Sequence, residues 1–545
     1  MSMKKVMTIL VSLIIGGTAW SQNLDPTVEV SREYETKLIE VHKPALEMTV
    51  PDTLHRFDLD FDYSVFENPY KGSYEFSPYV LQLNPTVAER FQNTFYLNAG
   101  AGYTLYPTLD LLWSPVLKGA FSVDVHASHK SYIGGYRAVG GNDSWKGYDL
   151  LSKAGVDFGY DWKKAGIDFG ASYYGVADSD FRHKRQYNAV DAYAVLNSKI
   201  SYQSHFAYRV ALSYRYAQDD AVHAADASAR KLNEQNVRLN ADFGPTFVKA
   251  GKLMFDIDAE IASYDWPEAR AVGQVSLAPH YVYSRGIFNL DAGVRLSALI
   301  NSGKNQIVYP DVKMSLAVVP DALKIYLNVG GGDKLNTYSS LLDGNHHFST
   351  DYGLAGPMSV IGATVERVSV SYGFIGRITH VFNYNLRGGY VNYMSAPLDV
   401  AFVSGSVCKA GLAYSSYQKM YASLDWGVGV QSLRVDGNLT YNHTWGIQND
   451  MMLAPSVFEG SVAATYNWFK RVYAGVDCEF ATARKSATGY EVPAYADLGV
   501  TAEYVMNRKL SFWLRGGNLL NMEIQRNLLY AEKGINFTAG ICLNL

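Results

Sequence analysis

Side-chain polarity that alternates residue by residue, in segments of about ten residues or more, constrains this chain more than any other feature. Phe255, Ile257, Ala259 and Ile261 interleave with Asp256, Asp258 and Glu260. Val237, Leu239, Ala241 and Phe243 interleave with Asn236, Arg238, Asn240 and Asp242. Phe288, Leu290, Ala292, Val294 and Leu296 do the same against Asn289, Asp291, Gly293, Arg295 and Ser297. Neighbouring residues of a strand point to opposite faces, so each segment has one apolar and one charged face. A lipid-facing ion costs several kcal/mol, so the charged face must border water. A soluble β-sandwich also alternates, but its strands average ~5–6 residues, whereas a tilted strand needs about ten to cross a bilayer. Connection lengths alternate too. Short turns fall at Lys163-Lys164, Gln203-Ser204, Lys249 to Gly251, Arg285-Gly286, Pro320 to Ala322, Ser432-Leu433, Lys470-Arg471 and Asn507 to Lys509, with longer polar loops between them. That asymmetry belongs to barrels with short periplasmic turns and long outer loops.

Following the alternation from Thr94 to Leu545 gives about 22 strands, an even number, as bacterial single-chain barrels have. The expected fold class is all-β: a transmembrane antiparallel up-and-down β-barrel with a short N-terminal periplasmic or lumenal extension. The pair around Tyr96 to Val116 is short, and Ala401 to Gln431 divides in more than one way. The last strand puts Ile535, Phe537, Ala539, Ile541, Leu543 and Leu545 on one face. The 41 Tyr and 47 Gly suit a membrane interface and a curved sheet.

Lys4 and Lys5 precede an apolar run from Val6 to Ile15, then Gly16, Gly17 and Ala19-Trp20-Ser21, which reads as a signal peptide over residues 1–21 with Gln22 as mature N-terminus. After it, no apolar run of about 18 residues occurs, which excludes a bundle of spanning helices. Residues 22–92 hold Pro26, Pro44, Pro51, Pro69, Pro78 and Pro85 with only short alternation, and read as the extension; 93–545 read as the barrel. Without Lys4 and Lys5 the 48 basic residues fall to 46 against 52 acidic, a balance that gives no reason for nucleic-acid binding. Cys408, Cys478 and Cys542 carry no expected disulfide, and Cys478 shares its face with Val472, Ala474, Val476 and Phe480.

Three C-terminal stretches, Pro493-Ala494-Tyr495-Ala496-Asp497-Leu498, Leu510 through Asn521 with its Asn-Leu-Leu-Asn end, and Gly534 through Gly540, resemble the last three strands of TonB-dependent receptors. Thr27 through Glu35 is similar to an opening segment of a plugless branch of such barrels. The resemblance implies an outer-membrane location and a transport role. It also implies a plug domain well over a hundred residues long, for which residues 22–92 are too few; the expectation is a plugless, TonB-dependent-receptor-like barrel. Thr27 to Val30 reads either as an extended tether or as a vestigial TonB-contacting strand.

No nucleophile elbow, phosphate loop or zinc signature is present, so no enzyme and no cofactor is expected. The adjacent His346-His347 pair, in the longest loop between Lys334 and Gly362, is expected to be a solvated pair and not a metal site, because neighbouring loop residues rarely hold one ion without carboxylates at fixed positions. The better candidates are lumen-lining charges: Arg209, Arg215, Arg238, Arg295, Arg367, Arg387 and Arg515, with Asp242, Asp256, Asp258, Glu260 and Asp291. Arg377, Asp124, Asp168, Asp477 and Glu479 share their face. A basic ladder facing an acidic one would create a transverse field that aligns polar solutes; alternatively the charges solvate a wide lumen or pair across strands. The leading functional reading is transport or a porin-type channel for polar solutes in the outer membrane. The second is a non-conducting barrel subunit that scaffolds a complex with lipoprotein or periplasmic partners.

Overall fold

The computed structural model describes residues 94–545, apart from 104, 138, 140–143, 180–183, 200–204, 221–230, 248–250, 267–268, 321, 350–352, 354–356 and 405–406. The expected signal peptide, the 22–92 extension and the Thr27 to Val30 tether lie outside the described residues. Twenty-two strands form one sheet in which each pairs antiparallel with its neighbours in sequence. The first, Phe95–Gly102, also pairs with the last, Asn536–Asn544, from Tyr96 opposite Asn544 to Gly102 opposite Thr538. The C-terminal residue completes the seam: Leu545 N–H donates to Phe95 O at 2.8 Å, and Leu545 O accepts from Phe95 N–H at 2.9 Å. Closure removes both sheet edges, which is the condition for a β-structure to sit in lipid, where an unpaired backbone group has no water to bond.

Strand length varies from six residues in Thr108–Trp113 to 24 in Val407–Val430. The ambiguous stretch after Ala401 resolves into one long hairpin, Phe382–Ser404 with Val407–Val430. One end of the barrel carries short turns, as at 163–164, 286–287 and 431–432. The other carries the long segments 337–361, 446–457, 482–494 and 518–535. By the barrel asymmetry the first end is periplasmic and the second is the outer mouth.

The two faces separate as the alternation requires. Val237, Ile261, Leu277, Val294 and Leu296 are exposed on the outside, with Val237 opposite Ile261 and Leu277 opposite Leu296. Exposed Tyr160, Trp162, Phe206, Phe247, Trp468 and Phe469 cluster beside the short turns, an aromatic girdle at the periplasmic interface. Inside, the side chains that bond the outer-mouth loop fix the opposite parity. Trp513 marks the inner face near the seam: its Nε1–H donates to Asn98 Oδ1 at 2.6 Å, and its ring covers Gly100 and Gly540, where a Cβ would come within 2.5 Å of it. Those two glycines make room for the ring.

Candidate functional site

The longest connection, between Leu323–Asn336 and Gly362–Ile378, folds back into the outer mouth around a short helix, Tyr338–Gly344. Thr337 starts it: its backbone is extended and its side chain accepts from Ser340 N–H at 3.2 Å, satisfying a helix-end donor. Tyr338 and Leu342, one turn apart, share a face, and both are buried.

A polar seat holds this helix to four consecutive wall strands. From Lys184–Ser198, Arg185 meets Asp219 of Phe206–Asp219 through its Nη2 at 2.6 Å and its Nε at 3.0 Å, with 7% and 1% of the two side chains exposed. Tyr338 Oη donates to the same carboxylate, and Arg185 Nη1 donates to His346 O at 3.3 Å. Tyr187 Oη and Ser339 Oγ share a hydrogen bond of 2.9 Å. Ser339 N–H donates to the buried Glu234 at 3.1 Å, and Tyr338 N–H donates to Tyr264 Oη at 3.3 Å. Arg215 links Asp191 on the wall to Asp343 at the helix end, at 2.5 and 2.9 Å. Burial pushes the Tyr338 phenol well above its ordinary value, so it stays a donor. Removing one member of a buried pair such as Arg185–Asp219 costs about 3–5 kcal/mol, because the other charge is left unpaired.

Apolar contacts extend the seat across the mouth. Leu342, Phe348 and Val360 belong to one buried cluster with Leu453, Val492 and Leu528 from the other outer loops. His347 stacks on Tyr530 with ring centroids 4.2 Å apart and planes 7° apart.

Most of the charges singled out from the sequence pair across neighbouring strands. Arg209 lies 3.9 Å from Asp242, Arg238 lies 3.0 Å from Asp258, Arg295 lies 3.0 Å from Asp311 and Arg387 lies 3.5 Å from Asp425. Asp256 lies 3.5 Å from His280, Asp291 lies 3.9 Å from both His280 and Lys313, and Glu260 accepts from Asn236 at 2.8 Å. Arg515 sits over the Trp513 ring at 4.7 Å, and Arg367 is the residue without a cross-strand partner in a β-bulge between Glu366 and Val368. Alternating signs on adjacent strands neutralise one another, so the separated basic and acidic ladders are not what these pairs build. Of the candidates, only Arg215 is also part of the loop seat. Arg185, Asp219, Glu234 and Tyr264 escaped the sequence reading, although Arg185 and Asp219 share parity with Asp191 and Arg215 and so belonged to the same face.

The histidine pair differs from the solvated loop pair expected. His346 Nε2 is 3.0 Å from Asp149 Oδ2, His347 Nδ1 is 3.3 Å from Asp178 Oδ2, and the His347 side chain is only 14% exposed. Burial disfavours the His346 cation, but the hydrogen bond and charge of Asp149 outweigh it and hold the imidazole above its ordinary value.

No family model and no curated protein matches this sequence. Solved structures do match. A mutant of the ferric enterobactin receptor PfeA from Pseudomonas aeruginosa superposes with a TM-score of 0.61 at 10% identity, over 83% of this chain and 80% of that one. The siderophore receptor PirA from Acinetobacter baumannii gives 0.61 at 9% identity over 83% and 80%. The copper transporter OprC gives 0.62 at 12% identity over 83% and 80%. This chain has the fold of a closed 22-stranded barrel, which those proteins share. At such identities the likeness is one of architecture, and it agrees with the C-terminal resemblance to TonB-dependent receptors. A closed 22-stranded barrel of this kind, apolar outside and charged inside, is an outer-membrane protein.

Proposed function

We propose that this receptor-type barrel is a gated transporter of small polar or ionic solutes, with residues 337–349 as its outer gate. The observation that carries the reading is the polar seat of the helix Tyr338–Gly344. Arg185, Asp219, Glu234 and Tyr264 on the wall each bond a group of the loop, so the loop has a defined closed position, and water can replace those contacts when it leaves. A passive porin needs no such seat. The structural neighbours are receptors for ferric enterobactin and siderophores and a copper transporter, which supports a charged or metal-bearing solute for this chain as well.

Planar-bilayer recordings test the gate. The wild-type barrel should be mostly closed, whereas Asp219→Ala should open in long bursts, since Tyr338 loses the carboxylate that accepts its proton and Arg185 is left as an unpaired buried charge. A large, steady conductance that is the same in both proteins would overturn gating in favour of an open porin. Silence in both, and in a variant lacking residues 338–348, would favour the scaffold reading, to be followed by co-purification of its partner.

A further inference from the structure

The gate loop and the wall also meet at a cluster whose side chains the polar seat does not use. Among the described residues, Asp149, His346 and His347 are the group whose ligand-type atoms all lie within 4.8 Å of one another. Asp149 comes from the wall strand Ser144–Asp161, and the two imidazoles come from the gate loop just after its helix. One Asp149 oxygen accepts from or pairs with His346, while the other, Oδ1, is buried without a hydrogen-bond partner. A buried carboxylate oxygen left bare costs free energy and has room in its hydrogen-bonding shell for a water or a cation.

We propose that Asp149, His346 and His347 form a binding site for a borderline divalent transition-metal ion such as Zn²⁺, which latches the gate loop to the barrel wall. Two imidazoles with a carboxylate suit zinc and copper, and exclude calcium and magnesium, which take oxygen ligands. A tetrahedral zinc with bonds of about 2.0–2.1 Å holds its ligands roughly 3.4 Å apart, so side-chain rotation of little over an ångström closes the observed cluster around an ion. The surroundings already orient His347. Asp178 of the strand Ala165–Ser179 lies 3.3 Å from Nδ1, positioned to accept its proton and leave Nε2 for the metal, and the Tyr530 ring fixes the plane. The fourth coordination position is left to water or an exogenous ligand. The ligands come from two elements 197 positions apart, the wall strand and the loop, so metal binding and loop closure favour each other. The assignment does not depend on which solute the barrel passes.

The test uses tag-free, chelator-stripped, detergent-folded mature protein. Calorimetric titration with Zn²⁺ should show one equivalent bound, and Asp149→Asn and His347→Ala should each weaken it at least tenfold while keeping the heat-modifiable folded band. Equal affinity in wild type and both variants, or no zinc binding tighter than millimolar, would overturn the site. A measurement on the wild type alone guards against misfolded variants: Cu²⁺-loaded protein should show electron paramagnetic resonance coupling to two imidazole nitrogens, and coupling to one or none would overturn it equally.

Discussion

Ile257 and Asp258 are adjacent in sequence and face opposite solvents. Ile257 lies between Ala241 and Leu277 on the outer face; Asp258 receives Arg238 on the inner one, where both side chains are substantially exposed. Their energetics differ accordingly. An arginine on the lipid side near mid-strand must be desolvated or drag water inward, a cost of about 2–4 kcal/mol. The Arg238–Asp258 pair, screened by water, contributes at most ~1 kcal/mol. Ile257→Arg should therefore lower the urea midpoint of the refolded barrel by an amount matching the first figure, and Asp258→Asn should leave it nearly unchanged. Equal midpoints in the two variants would contradict the face assignment. Residues at the outer mouth obey other rules: Asn518 and Asn521 both take left-handed backbone, at φ 46° and 52°, a conformation asparagine tolerates because its short amide can bond locally. Asn518 does so, its Nδ2 donating to Met522 O at 2.9 Å and Lys533 O at 3.1 Å, which folds the 518–535 loop inward beside the gate.

Among the elements, the helix Tyr338–Gly344 is the one whose stability is least its own. Seven residues are well below the length at which a helix survives in water, so it persists because Thr337 caps it and the wall seats it. Thr337→Ala removes the cap alone, at a cost of about 1 kcal/mol. Hydrogen exchange over 338–344 should accelerate about fivefold, the factor that energy corresponds to, while exchange in the neighbouring wall strands stays as in wild type. Unchanged exchange over 338–344 would show that the seat, without the cap, sets the helix.

At the scale of the whole molecule, closure matters more than any single strand. The pairing of Phe95–Gly102 with Asn536–Asn544 turns 22 strands into a sheet without edges. A chain ending at Ile535 would leave two strands with unpaired backbone groups facing hydrocarbon, several kcal/mol for each group. Such a truncation should give no heat-modifiable band and no membrane-inserted species, although the other strands are intact. Recovery of a folded band at wild-type yield would mean that the barrel can close through Leu510–Gly517 instead.

What the amino-acid sequence determined by itself is what strand geometry makes local. A two-residue period sorts Ile257 from Asp258 and Arg209 from Val210 without knowledge of any partner, and turn spacing then counts the strands and places the last of them at Ile535 to Leu545, where the structure has Asn536–Asn544. The long loop from Lys334 to Gly362 was visible by its length. Its seat was not, because Tyr338 and Asp219 are separated by 119 positions and Arg185 and Tyr338 by 153, and their meeting depends on how far the outer ends of the strands rise and where the loop turns inward. The histidine pair shows the same division. His346 and His347 read as solvated because a loop sequence fixes no carboxylate in position beside them; Asp149 and Asp178 arrive from 197 and 169 positions away, carried there by the curvature of a closed sheet. Periodicity assigns a side chain to a face, but only barrel closure decides which faces meet across the mouth.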